Sequence, residues 1–221
     1  RTRLWLKGTF FVAAASIAGV PGLAGFFSKD EILLMAFNAG TFTGYLAWGV
    51  GVLVAFMTAF YSFRLYFSVF TGQFRGTEHQ REHLHESPRV VTVPLLVLAV
   101  GAVASGWLGI PHVLGGSNHW AEFLAPVTGH PHVHVSGAVE LGLMAVSVAA
   151  GFAGIGLAWL MYCRSPELPG KVAEAFGGLY RLFSRKYWVD EIYVACLVRP
   201  TLWLADNLLL GVVDTRGIEG V

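Results

Sequence analysis

Residues 8–28, GTFFVAAASIAGVPGLAGFFS, run for 21 positions without a charged side chain and are followed at once by Lys29-Asp30-Glu31. A helix needs about 20 apolar residues to cross a ~30 Å hydrocarbon core, so the run is long enough for one crossing. It does not read as one ideal helix, because Val20-Pro21-Gly22-Leu23-Ala24-Gly25 sets a proline and two glycines inside it. Proline removes a ladder hydrogen bond and its ring clashes with the carbonyl four residues back. The spacing predicts two half-helices, 9–19 and 28–38, with irregular backbone between them; a simple proline kink is the plainer alternative. Within a membrane, irregular backbone persists only where it is buried in protein or lines a wet cavity. Broken helices of that kind recur at ion-handling sites.

Moving outward, three more charge-free runs follow, at 32–63, 90–121 and 141–163. None alternates as a barrel strand would, so helices are the economical solution. The expected architecture is an all-α, polytopic membrane helix bundle. Its four spans lie near 9–38, 43–70, 90–110 and 137–162, the first of them broken. Composition agrees: hydrophobic residues make up 55% and charged residues 13% of the 221 positions, against about 25% charged in a soluble domain. Mean hydropathy is +0.59. Disorder is excluded by this apolar content. A net charge of +1 removes the electrostatic case for nucleic-acid binding. Two cysteines, Cys163 and Cys196, exclude a disulfide scaffold; they are assigned no role.

Lysine and arginine alternate between loops. Arg1, Arg3 and Lys7 precede the first span, Arg75, Arg81 and Arg89 mark the second loop, and seven more follow residue 163. The 39–42 turn and the 111–136 loop carry none. By the positive-inside rule both chain ends and the 71–89 loop are expected on the cytoplasmic side. Trp5, Trp48, Trp107 and Trp159 fall near span ends, as interfacial anchors do. The chain opens with RTRLWLK just before a span and stops at GIEGV, which suggests a piece of a longer polytopic protein.

The cluster at 28–31 has two interpretations. As a capping box, Ser28 is the N-cap and Glu31 the N3 residue ahead of Ile32-Leu33-Leu34-Met35. That accounts for Ser28, Asp30 and Glu31 and leaves Lys29 unexplained. A cation there sits at the wrong end of the helix dipole, at a depth where a charge costs at least ~2.5 kcal/mol. Desolvation and the dipole disfavour the charged amine, whereas a nearby carboxylate favours it. Asp30 is adjacent, and neighbours at i,i+1 do not face one another on a helix, so the partner is expected from another element. A lysine balanced in this way meets the physical requirement for a proton relay; an amine snorkelling to the interface is the alternative. Arg64, near the cytoplasmic end of its span, stays protonated and is expected to snorkel or pair with a carboxylate.

At these residues the chain resembles a known family. AGFFSKDEIL (24–33), AFYSFRLYFSVFTG (59–72), HESPRVVTVPLLVLAVGAVASGWLGIP (85–111) and KYWVDEIYVACLVRPTLWLA (186–205) resemble the antiporter-like membrane subunits of NADH:quinone oxidoreductase, respiratory complex I, most closely the subunit L group. The resemblance covers essentially all of the chain. It implies a C-terminal portion of such a subunit, a proton-translocating component of a translocase in a bacterial inner membrane. Lys29 falls on the position of the relay lysine of the last proton half-channel, with Asp30 beside it and Glu31 in the same motif. It also implies that the family's glutamate–lysine pair and central channel residues lie upstream and that a closing helix lies downstream. Other membrane-arm subunits and the lipid bilayer are the implied partners. No cofactor is expected on this chain; NADH, FMN, iron–sulfur clusters and quinone belong to partner subunits. A subunit of the related multisubunit cation/proton antiporters, or a purely structural bundle, are the rival expectations.

After Cys163 the composition shifts. Arg164, Lys171, Arg181, Arg185 and Lys186, with Pro166 and Pro169, mark a linker, giving a division into 1–163 and 164–221. From 188 onward Val189, Ile192, Tyr193, Cys196, Leu197, Trp203, Leu204 and Leu208 recur at helical spacing, interrupted by Pro200. Asp190, Glu191, Arg199 and Asp206 argue against a fifth span and for an amphipathic lateral helix at the cytoplasmic surface. His130, His132 and His134 suggest a metal site, against which Pro131 and an exposed position favour a solvated loop.

Overall fold

Helix α1, Leu4–Ala18, ends where Gly19 takes φ +81°. The Val20 amide donates to the Ala15 carbonyl and the Gly19 amide to that of Ser16, each at 3.0 Å. This is a Schellman closure, and the positive φ is what glycine supplies there. Residues Val20–Leu23 then form a turn, with the Leu23 amide on the Val20 carbonyl at 3.2 Å and Gly22 at φ +89°. Proline second and glycine third is the type II pattern. Pro21 thus lies between helices and breaks no ladder. Helix α2, Ala24–Asn38, begins directly after Leu23, its N-cap.

The break therefore occupies residues 19–23, and α2 starts four residues before the expected 28. The expected half-helices 9–19 and 28–38 are lengthened at their starts, because closure and turn together need only five residues. The capping box fails for the same reason. Ser28 lies inside α2 and its hydroxyl donates to the Ala24 carbonyl at 3.3 Å.

The computed structural model describes residues 4–72, 74, 76–82, 87–129, 135–207 and 209–210. Among these the regular elements are helical; one isolated bridge joins Gly109 to Asn118. After α2 come α3 (Phe42–Phe70), the short α4 (Glu78–Glu82), α5 (Arg89–Ala104) running on as a 3₁₀ turn to Leu108, and α6 (His119–Thr128). Helix α7 (Gly137–Trp159) continues through a π turn to Arg164. Three helical stretches are long and apolar enough to cross a membrane: Phe42–Phe70, Arg89–Leu108 and Gly137–Arg164. The expected first span differs, for α1 and α2 have 15 residues each. At 1.5 Å per residue each reaches about 22 Å, short of a full crossing.

The chain divides into two compact units, 1–166 and 167–221. In the first unit the core is built by α1, α3 and α7 from Ala14, Ala15, Ala18, Ala59, Phe63, Tyr66 and Ala158. Small residues let these backbones approach closely, the packing solution available where apolar lipid leaves no hydrophobic drive between helices. Large apolar side chains such as Leu53, Met57, Val97 and Phe152 point outward. Thr41 caps α3, its hydroxyl accepting from the Gly44 amide at 3.1 Å. The Trp107 indole, expected as an interfacial anchor, donates to the Gly22 carbonyl at 3.1 Å and pins the break.

One further expectation is revised. The 111–136 loop contains α6, whose cap Asn118 accepts from the Ala121 amide at 3.1 Å. Arg64 is exposed and its guanidinium lies 5.5 Å from the Tyr162 ring centroid, a cation–π contact, with no carboxylate in ion-pair range among the described residues.

The second unit contains α8 (Leu168–Ala175), α9 (Gly177–Ser184), a left-handed turn at Lys186–Trp188, and helical backbone from Val189 through Leu204. A π turn at Val194–Val198 interrupts that last stretch just before Pro200. A proline that lacks its donor and crowds the preceding turn is a recognised cause of such widening. His83, His85, His130, His132 and His134 lie outside the described residues.

Candidate functional site

Successive residues on an α-helix point about 100° apart. Lys29, Asp30 and Glu31, one turn into α2, consequently reach three different elements. The Lys29 amine, half-buried, turns back to α1 and donates to the carbonyls of Ile17 at 3.2 Å and Ala18 at 3.1 Å. These belong to the last turn of a helix, whose carbonyls otherwise lack intrahelical partners. A cation at that end is favoured by the dipole. The objection that Lys29 sits at the wrong end of α2 is answered: it serves the C-terminus of α1. No carboxylate lies within ion-pair distance of this amine among the described residues. A Cβ added at Gly19 would stand 3.0 Å from Lys29 Nζ.

Asp30 faces α7. It is 6% exposed, and its Oδ1 accepts from the buried Ser147 hydroxyl at 2.5 Å. Its Oδ2 is buried without a protein hydrogen-bond partner. A buried carboxylate oxygen left unpaired is costly, and in a native fold it marks water, an ion or a functional group.

Glu31, half-buried, reaches the start of α6, where the Asn118 side-chain amide donates to Oε1 at 3.1 Å. The expected trio is thus contiguous in sequence and divergent in space. Of its partners, Ser147 carried no signal of its own in the sequence, being one small residue in an apolar run. For α6 a signal was present. Asn118 is a good cap, and Trp120, Phe123, Leu124 and Val127 recur at i, i+3, i+4, i+7.

Asp30 and Glu31 open onto a cavity of about 390 Å³ that Asn118, Glu122, Glu140 and His112 also line, with Leu33, Leu143 and Met144 as its apolar wall. A second space of about 410 Å³, lined by Ser28, Ser105 and Trp120, shares Glu31 with the first. Polar groups therefore lead from the carboxylate buried against α7 to the α6 segment. The Lys29 amine lies on the α1 side of the same helix. Such a cavity is roomy enough for several waters, and its carboxylates, amide and imidazole supply the partners that ordered water needs. Among the described residues no three His, Cys, Asp or Glu side chains converge to hold a metal.

Residues 5–58 match the family model described as NADH:quinone oxidoreductase/Mrp antiporter, TM. That span includes α1, the break, α2 with Lys29, Asp30 and Glu31, and the first half of α3. NAD(P)H-quinone oxidoreductase chain 5 of Picosynechococcus is 38% identical over 232 residues, covering 96% of this chain and 34% of that protein. NADH-quinone oxidoreductase subunit L of Neisseria meningitidis is 34% identical over 222 residues, covering 89% of this chain and 32% of its own length. Subunit L of Rhodobacter capsulatus is 31% identical over 256 residues, with 89% and 35% covered. The chain spans about a third of the length of these curated relatives. On the family match and on these alignments, the chain belongs to the NADH:quinone oxidoreductase/Mrp antiporter family of transmembrane proteins.

Proposed function

We propose that this chain is part of a proton-translocating membrane-arm subunit of NADH:quinone oxidoreductase, in which Lys29 and Asp30 relay protons and Glu31 lines their route. One observation carries the reading: the Asp30 carboxylate is buried, is half-satisfied, and borders a polar cavity beside a broken helix. A group that exchanges a proton must reach water on one side and feel a movable charge on the other. The cavity offers the first to Asp30. The second falls to Lys29, held by two helix-end carbonyls with no carboxylate within ion-pair distance among the described residues, so that the amine gains or loses its proton without breaking an ion pair.

In this proposal the broken pair α1–α2 serves as one span, with α3, α5 and α7 as the other three. Both ends of the first unit then face the cytoplasm, and the helix from Val189 lies along the membrane surface as a clamp on neighbouring membrane-arm subunits. The division into bundle and lateral segment follows from it. The membrane is a bacterial inner membrane, and NADH, flavin, iron–sulfur clusters and quinone are handled by partner subunits. The chain contributes as a component of the translocase. The matched family description also names Mrp antiporters. A cation/proton antiporter subunit with no redox partner is therefore the second reading.

The test is Lys29→Ala in the full assembly. The proposal expects fewer protons translocated per NADH oxidised, with assembly retained. An undiminished ratio overturns it. Purification of the chain with no flavin or iron–sulfur subunits selects the antiporter reading.

A further inference from the structure

Glu31 borders two of the bundle's cavities, and among the described residues the side chain that donates to it is Asn118. Asn118 performs two tasks with two ends of one amide. Its Oδ1 accepts from the Ala121 amide and caps α6, which fixes Nδ2 toward Glu31. The first residues of α6 line the Asp30 cavity through Ala121 and Glu122, while Trp120 closes the second space and reaches the Ser105 carbonyl at 3.5 Å. Glu122 itself turns to His119 at 3.4 Å, so it does not substitute for Asn118 as a tie to α2. Beyond its cap the helix exposes Phe123, Leu124 and Val127, and no residue of α6 is buried. The start of α6 is held by the main-chain bridge between Asn118 and Gly109, by the Trp120 indole and by the Asn118–Glu31 bond, and the last of these is the tie made to a carboxylate, the stronger kind.

We propose that Asn118 is a positioning residue: by donating to Glu31 it latches the start of α6 across the Asp30 cavity, and releasing that bond opens the cavity. The latch deepens the proton-relay reading of the same site, because it sets when Asp30 meets outside water. Its chemistry requires one donor and one acceptor between positions 118 and 31, together with an acceptor for the Ala121 amide.

That requirement can be inverted. Asn118→Asp keeps the cap, since a carboxylate oxygen still accepts from Ala121, but it sets carboxylate against carboxylate at Glu31. Adding Glu31→Gln restores one bond in the opposite sense, with the glutamine amide donating to the aspartate. Leu143, half-buried in the cavity wall, provides the reporter. In the native assembly with Cys163→Ser and Cys196→Ser, the rate at which a water-soluble methanethiosulfonate labels Leu143→Cys reads the opening directly. Asn118→Asp is expected to raise that rate about tenfold, the scale of one charge-assisted hydrogen bond. The Glu31→Gln/Asn118→Asp pair is expected to return it close to the starting value. Should Asn118→Asp fail to assemble, Asn118→Ser caps α6 but is too short to reach Glu31, and the same rise is expected. An unchanged rate in the disrupting variants, or a double variant that labels as fast as Asn118→Asp, overturns the latch. Labelling is read without turnover, so the latch survives failure of the proton reading, and the proton reading survives failure of the latch.

Discussion

At the scale of single residues, Gly19 and Lys29 form one device. Gly19 needs its positive φ to close α1, and its missing Cβ leaves room for the lysine amine 3.0 Å away. Gly19→Ala is expected to cost about 1–2 kcal/mol for the left-handed backbone alone and to push Lys29 off the Ile17 and Ala18 carbonyls. Thermal unfolding of the assembly and protons moved per NADH should both fall; loss of stability with an unchanged ratio separates the lysine's role from the turn's. Lys29, Asp30 and Glu31 stood out in the sequence because charges at membrane depth are expensive. Their partners did not. Lys29 binds backbone carbonyls 11 and 12 positions away, and carbonyls have no sequence signature. Ser147 is 117 positions from Asp30 and resembles any small residue of an apolar helix.

Among the elements, the long helices were legible: the expected spans 43–70, 90–110 and 137–162 end within two residues of Phe42–Phe70, Arg89–Leu108 and Gly137–Arg164. The break was legible through Val20-Pro21-Gly22, but its register was not. Ser28 looked like a cap, while the Schellman closure and type II turn had already released the chain into α2 at Ala24. Helix α6 was harder to read, because its apolar period spans only the four positions Trp120, Phe123, Leu124 and Val127 within a loop otherwise marked by its lack of Lys and Arg. Packing between α3 and α7 rests on backbone approach. A Cβ at Gly154 would collide with the Phe56 carbonyl oxygen. Gly154→Ala is therefore expected to destabilise the bundle by about 1–3 kcal/mol, measured by the detergent concentration needed to unfold it. In the second unit, the Lys186 ammonium donates to Asp190 at 2.9 Å, which holds its proton above the ordinary lysine range. A pKa raised on folding gives a contribution present below the unfolded-chain lysine value and lost as pH rises through the shifted one. Both side chains are exposed, so salt screens the pair. Titration by NMR should give Lys186 a higher midpoint than in Asp190→Asn; equal midpoints contradict the pairing.

For the whole molecule, a helical membrane bundle was evident from composition and run length, and its membership of the family rests on stretches distributed over the full chain. What the fold adds is direction. One turn of α2 sends an amine to the end of α1, a carboxylate into α7 and a second carboxylate to α6, so three residues join the break to a polar cavity. The proposed proton relay requires that the Asp30 carboxyl change its protonation during turnover. Difference infrared spectroscopy of the full assembly during NADH oxidation observes that event directly. A relaying Asp30 is expected to give a protonated-carboxyl band that rises and falls with turnover and disappears in Asp30→Asn. The same band at the same amplitude in wild type and Asp30→Asn would contradict it.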